Sequence, residues 1–166
     1  LGTPSKNDVV PSVDAVIIAL KTRTIPVEDA IEQSLQAMNW LKNAGAKQFF
    51  FKYCSTFDST DAGNIGPGID ALMAGLETQF TIACPAFPET ERTIFKGHLF
   101  VGNKLLSESP MKDHPLTPMT DSNLVSTLSR QTSQKVGLVE YTYISGGPSE
   151  IRKAFNQLQK EDVAIA

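Results

Sequence analysis

Between residues 14 and 20 the chain reads Asp-Ala-Val-Ile-Ile-Ala-Leu, an almost unbroken apolar run of the kind that fills a strand covered on both faces. The period then changes. From 26 to 44, Val27, Ile31, Leu35, Met38 and Leu41 recur at spacings of three and four. Glu28 and Asp29 stand in the first turn, Lys42 in the last, and Gly45 follows, which predicts an amphipathic helix with a defined stop. A second apolar run at 48–53 predicts a strand. Residues 67–76, through Ile69, Leu72, Met73 and Leu76, predict a helix, and 80–84 a third strand. Strand and helix alternating in this way imply a parallel sheet with right-handed helical crossovers.

After residue 84 the pattern breaks. Thr93-Ile94-Phe95 and His98-Leu99-Phe100-Val101, with Gly97 and Gly102-Asn103 beside them, predict short antiparallel strands, a small β insertion near 92–106. Pro110, Pro115 and Pro118 predict an irregular loop, and Thr120 or Asp121 is placed to cap a helix through Leu124, Val125 and Leu128. Residues 135–140 predict a fourth strand, and 148–160 a helix opened by Pro148, with Ile151, Phe155 and Leu158 on one face. Val163-Ala164-Ile165-Ala166 reads as the start of a fifth buried strand, with an irregular tail as the alternative. The expected fold is one α/β domain over 1–166, a mostly parallel sheet with flanking helices, three-layered and Rossmann-like.

Composition narrows what this domain can be. At 166 residues and 18.0 kDa, with 41% hydrophobic and 20% charged residues, the chain fits one ordinary domain. No apolar run approaches the about 20 residues of a membrane span, so no membrane partner is expected. Two cysteines, Cys54 and Cys84, are too few for a disulfide framework, and a cytoplasmic setting is expected. A net charge of −3 with scattered lysines and arginines argues against nucleic acid as a partner. A homo-oligomer stays open. The first residue is not methionine and 163–166 opens a strand, so the expectation is a piece cut from a longer chain.

The chemistry concentrates at predicted strand ends, where open α/β sheets bind ligands. The first strand ends in Lys21-Thr22-Arg23-Thr24. The second delivers Lys52 and then the hydroxyl-rich loop Ser55-Thr56-Phe57-Asp58-Ser59-Thr60, with Gly63-Asn64-Ile65-Gly66-Pro67 leading into a helix. Cations grip a carboxylate, Asp58 accepts from a hydroxyl, and a helix start favours an anion, so a hydroxylated small-molecule acid suits the set. Taken singly, each of these charges reads equally as a solvated strand end. Arg92 and His98 are the further candidates for the same crevice. His98 and His114 lack zinc-ligand spacing with each other or with the cysteines, and no metal site is expected. The glycines at 63–68 match neither G-x-x-x-x-G-K-[ST] nor G-x-G-x-x-G.

These segments, together with Pro85-Ala86-Phe87-Pro88, Gly97-His98-Leu99-Phe100-Val101-Gly102 and His114-Pro115-Leu116-Thr117-Pro118-Met119-Thr120-Asp121, resemble the amino-terminal domain of the four-carbon acid sugar kinases over nearly the whole chain. The resemblance implies the sugar-acid-binding part of a two-domain, ATP-dependent kinase acting on 3-oxo-tetronate or a related tetronate. ATP and Mg2+ would be held by a carboxyl-terminal domain absent from this chain. It implies substrate-binding roles for Lys21, Arg23, Lys52, Asp58, Ser59, Thr60, Arg92 and His98, and leaves the catalytic base unassigned. The family's Asp-Asp-x-Thr-Gly-Ala motif is absent from this sequence. Gly68 stands where a valine is usual, and Glu91 where glycine is usual. The alternatives are a stand-alone sugar-acid binding module and an inactive remnant without kinase activity.

Overall fold

The structure is a computed structural model describing residues 2–5, 7–10 and 12–166. The helix expected over 26–44 is α1, Val27–Asn43, which buries Ala30, Ser34, Ala37 and Met38 while Glu28, Asp29 and Lys42 complement its dipole. Helix α2, Ile65–Gly75, packs against it and buries Ile65, Ile69 and Met73. The antiparallel insertion forms as β1, Arg92–Phe95, β2, His98–Val101, and β3, Lys104–Leu105, with Phe95 opposite His98 and Val101 opposite Lys104. Helix α3, Leu124–Ser129, is capped by Asn123, whose side chain accepts from the Ser126 N–H at 3.1 Å. The expected cap Asp121 instead accepts from the Asn123 N–H at 2.8 Å, holding the capping residue itself. Helices α4, Tyr141–Ser145, and α5, Pro148–Lys160, complete the set.

The expected mostly parallel, three-layer Rossmann-like sheet is not formed among the described residues. The sheet present is β1-β2-β3, three short antiparallel strands. Parallel pairing among the described residues is confined to single bridges, Thr81 with Ile165 and Val136 with Ile165. The physical reason lies in burial. A strand buried on both faces needs cover above and below and a bonded neighbour on each side. The run at 14–20 has neither, since Ile17 is 93% exposed and, among the described residues, the run's backbone is bonded to another segment only where the Gly2 N–H donates to the Ala19 carbonyl. The run at 48–53 leaves Phe50 84% exposed, and 80–84 leaves Ile82 58% exposed. The runs at 14–20 and 48–53 are thus half-covered and outside any ladder, while 80–84 pairs only with the chain end at 164–166, so continuous apolar sequence here imitates a central strand without a bonded neighbour on each side.

The end of the chain behaves differently. Val163, Ala164 and Ile165 are buried, and this run bonds on both sides: Thr81 N–H to the Ala164 carbonyl at 2.9 Å and Gly137 N–H to the Ile165 carbonyl at 2.8 Å. Ile165 joins Phe57, Ile65, Ile69, Leu99, Leu106, Met119 and Leu128 in the core, so the insertion, α2, α3 and the loop before α2 close over one apolar centre. That packing anchors the hydroxyl-rich loop.

Candidate functional site

The loop is shaped by Phe57. The Phe57 N–H bonds to the Cys54 carbonyl at 3.1 Å, closing a turn, and Phe57 itself has φ of 52°, left-handed backbone that a bulky side chain seldom adopts. Burial of its ring, 1% exposed and edge-on to Tyr53 at 5.4 Å, holds the residue there. The consequence is that Asp58 and Ser59 turn inward, 5% and 3% exposed. The Asp58 carboxylate accepts from the Thr56 hydroxyl and from Arg23 Nη1 at 3.0 Å, and its own N–H meets Cys54 Sγ at 2.8 Å. A buried carboxylate needs such partners. Burial pushes the Cys54 thiol up, with the Asp58 N–H that its sulfur accepts working the other way.

Two staples hold the loop from opposite sides. Toward 22–25, Asn64 Nδ2 donates to the carbonyls of Thr22 and Ile25 at 2.8 and 2.9 Å, alongside the Arg23–Asp58 pair. Toward α3, Gln131 Nε2 donates to Ser59 Oγ and to the Thr60 carbonyl, both at 2.7 Å, while its Oε1 accepts from the Gly66 N–H at 2.9 Å. The glycines of the loop are sites of close approach. A methyl group on Gly63 would overlap Ser59 Oγ and stand 2.9 Å from Ser59 Cβ and the Thr60 carbonyl oxygen; one on Gly66 would stand 2.5 Å from Gln131 Cβ.

Beside the second staple, Arg130 joins two carboxylates. Its Nε donates to Asp61 at 2.6 Å and its Nη2 to Asp121 at 3.0 Å, with Nη1 on Ser126 Oγ at 2.5 Å. Burial acts to raise the Asp121 carboxyl, but the Asn123 N–H and Arg130 outweigh it and hold the group below the usual carboxylate range. The hydrogen bonds from Asp61 and Asp121 push Arg130 up in turn. Asp61, Asp121 and Arg130, with Ser59, Thr60 and Thr127, line a cleft of about 360 Å3. Hydroxyls, two carboxylates and one guanidinium share this lining with Ala62, Pro118 and Met119, a mixed surface that suits a hydroxylated guest with a carbon skeleton.

The candidate residues are thus placed as follows. Arg23 and Asp58 meet directly, and Ser59 and Thr60 share Gln131. Lys52 is exposed and its Nζ donates to the Tyr53 carbonyl; Lys21 is exposed at the end of its run. Arg92 and His98 bond within the insertion: Arg92 Nη1 to the Thr90 carbonyl, and His98 Nδ1 with the Lys96 carbonyl at 3.0 Å. Among the described residues, neither makes a hydrogen bond or ion pair with the 52–60 loop. The Arg92 Nε is buried and has no hydrogen-bond partner. Glu91, where glycine was the family expectation, has φ of 57°, which supplies the reason for a glycine there. Asp121, Arg130 and Gln131 also have a place at this site, though the sequence offered Asp121 only as a helix cap and part of a motif. No local pattern marks the last two.

ATP and Mg2+, implied by the resemblance, can be tested against the residues present. The glycine run is not a phosphate cradle, because the Gly66 N–H is already taken by Gln131 and the space beside Gly63 is filled by Ser59. Among the described residues no group of three His, Cys, Asp or Glu side chains could hold a metal ion. The described residues fit neither group. No described helix is long and apolar enough to cross a membrane.

The hydroxyl-rich loop is thus held between two polar staples at the edge of the cleft. Residues 3–166 match the sugar-binding N-terminal domain family, and the chain belongs to it. It is 57% identical over 166 residues to a 3-oxo-tetronate kinase of Burkholderia multivorans, covering 100% of this chain and 39% of that relative. Against the 3-oxo-tetronate kinase of Haemophilus influenzae it is 53% identical over 154 residues, covering 93% of this chain and 37% of the other. The chain therefore spans under two-fifths of these relatives. Among solved structures, a Haemophilus influenzae protein superposes with a TM-score of 0.96 at 50% identity, covering 99% of this chain and 40% of that one. A Bordetella bronchiseptica domain of unknown function, a domain-swapped dimer with bound citrate, superposes with a TM-score of 0.63 at 25% identity over 86% of this chain and 33% of the other.

Proposed function

We propose that this domain holds the acceptor substrate of an ATP-dependent kinase that phosphorylates a four-carbon acid sugar, 3-oxo-tetronate or a related tetronate. The observation that carries the reading is the Asp58 cluster: a carboxylate 5% exposed, joined by Thr56 and by Arg23 at 3.0 Å, inside a loop of hydroxyls. A carboxylate is acceptor-only and takes about four hydrogen bonds, so two protein donors leave capacity for substrate hydroxyls. Lys21 and Lys52, both exposed, would supply charge for the substrate carboxylate. Ser59 and Thr60 add hydroxyls, and Arg92 and His98 stand further out as candidates.

The names of the relatives support the substrate class, and citrate bound to a structural relative, itself a hydroxy acid, supports an anionic hydroxylated guest. That relative's domain-swapped dimer keeps self-association open here. ATP and Mg2+ would be held outside these 166 residues, and phosphoryl transfer depends on groups positioned there. The domain's own part is to orient one hydroxyl of the acid and to balance its carboxylate.

Calorimetric titration of this chain with a four-carbon aldonate such as threonate tests the binding half; a flat titration counts against it. In a protein carrying this domain and the remainder of a full-length relative, ATP-dependent phosphorylation of the acid should be lost in Asp58→Ala and strongly reduced in Lys52→Ala. Full activity in both variants would overturn the assignment.

A further inference from the structure

Gln131 lies 72 residues from Ser59 in sequence, yet its side chain is fully committed to the ligand loop. Its orientation follows from chemistry. The Gly66 N–H can only donate, so the atom 2.9 Å from it must be the amide oxygen. The nitrogen is thereby fixed on the other side, where the Thr60 carbonyl, which can only accept, confirms it at 2.7 Å. The remaining N–H then points at Ser59 Oγ at 2.7 Å and occupies one of its lone pairs.

We propose that Gln131 is a positioning residue that sets the hydrogen-bond polarity of Ser59, making its hydroxyl a donor to an anionic or carbonyl oxygen of the bound acid. This rests on the sugar-acid reading of the loop. A serine hydroxyl has one proton and two lone pairs, and free in solvent it serves either role. With one lone pair taken by the amide, the proton is barred from pointing at Gln131 and is directed, with the one remaining lone pair, away from it, where an anionic oxygen can only accept. Burial sharpens the effect, because Ser59 is 3% exposed and its O–H has little access to water as an alternative partner. The same amide ties the loop to the start of α2 through Gly66, so one side chain fixes both the direction of the donor and the position of the backbone that carries it. The close approach demands glycine at 66, since an added methyl group would stand 2.5 Å from Gln131 Cβ and 2.7 Å from its carbonyl oxygen.

The discriminating variant is Gln131→Glu. It keeps the acceptor for the Gly66 N–H but presents a carboxylate to Ser59, which must then donate its proton inward and is lost as a donor to the ligand. Threonate binding to the chain, measured by calorimetry, should weaken about ten- to hundredfold, the scale of one hydrogen bond to a charged group. Ser59→Ala should weaken it by a similar factor. Because Gln131 acts through Ser59, Gln131→Glu in the Ser59→Ala background should add less than about twofold. Independent losses that multiply would overturn the proposal, as would wild-type affinity in Gln131→Glu. Gln131→Met, which preserves shape and removes both polar functions, guards against misfolding: it should bind better than Gln131→Glu, since a freed Ser59 can still turn its proton to the ligand. Equal loss in both variants would reduce Gln131 to a structural staple. If the wild-type chain does not bind threonate at all, it is the sugar-acid reading that fails and with it the basis for this role.

Discussion

Replacing Gly63 with alanine tests the loop directly. Its backbone is not in the left-handed region, so the substitution carries no conformational penalty and is decided by space alone. The added methyl group would overlap Ser59 Oγ and lie 2.9 Å from both Ser59 Cβ and the Thr60 carbonyl oxygen. Neither neighbour yields easily: Ser59 is buried and bonded to Gln131 at 2.7 Å, and the Thr60 carbonyl takes the other Gln131 N–H at 2.7 Å. Overpacking of this kind costs about 1–3 kcal/mol. Losing the Ser59 bond adds about 1 kcal/mol. The stiffer unfolded chain of the alanine variant gives back about 0.4–1 kcal/mol. The expected net loss is about 2 kcal/mol, which for a chain of this size lowers Tm by about 4–8 °C. Thermal unfolding followed by circular dichroism reads this. Adding Ser59→Ala removes the oxygen that is struck and should restore part of the loss. A Tm within about 1 °C of wild type would refute the close approach of Gly63 to Ser59 and the loop geometry built on it.

Glu91→Gly should stabilise the protein by up to about 1 kcal/mol, because a left-handed conformation costs an ordinary residue about 1–2 kcal/mol and glycine loses about half of that gain through its freer unfolded chain; a fall in the urea midpoint would contradict it. Asp121→Asn should lower Tm at pH 7, with the gap to wild type closing on acidification. The Asp121 carboxyl is held low in the fold, so its contribution is present above the unfolded value near about 3.9 and is lost as pH falls through the lower folded value. A gap that persists at pH 2 would remove Asp121 from the Arg130 cluster as a charged partner. Tyr53 should resist ionisation, since burial pushes its hydroxyl up to about 12, with the Cys84 backbone working against the shift. The unfolded chain releases this proton near about 10 and the folded one later, so stability present below pH 10 falls as pH rises toward 12. Absorbance titration of Tyr53→Phe against wild type should show the missing group to be the late one, and an early loss would contradict its burial.

Helices α1 and α5 and the hairpin at 92–105 were legible from the chain, because apolar spacing, terminal charges and turn glycines are short-range signals that each segment carries by itself. The hydroxyl loop and its lysine and arginine neighbours were legible as candidate chemistry for the same reason, and the long ordered motifs pointed to the family. The parallel sheet was not a safe conclusion from the same data. An apolar run at 14–20 or 48–53 says that cover is wanted, but pairing depends on what other segments bring, and Ile17 and Phe50 stand exposed. Arg130 and Gln131 were invisible for a related reason: their partners lie 69 and 72 residues away, at a distance set only by the packing of α3 against α2 over a common core. What the sequence by itself determined, then, was the local elements, the family and the kind of chemistry. Which side chains orient that chemistry was decided by tertiary structure, because a hydrogen bond needs its two ends within about 3 Å and only the folded chain brings them there.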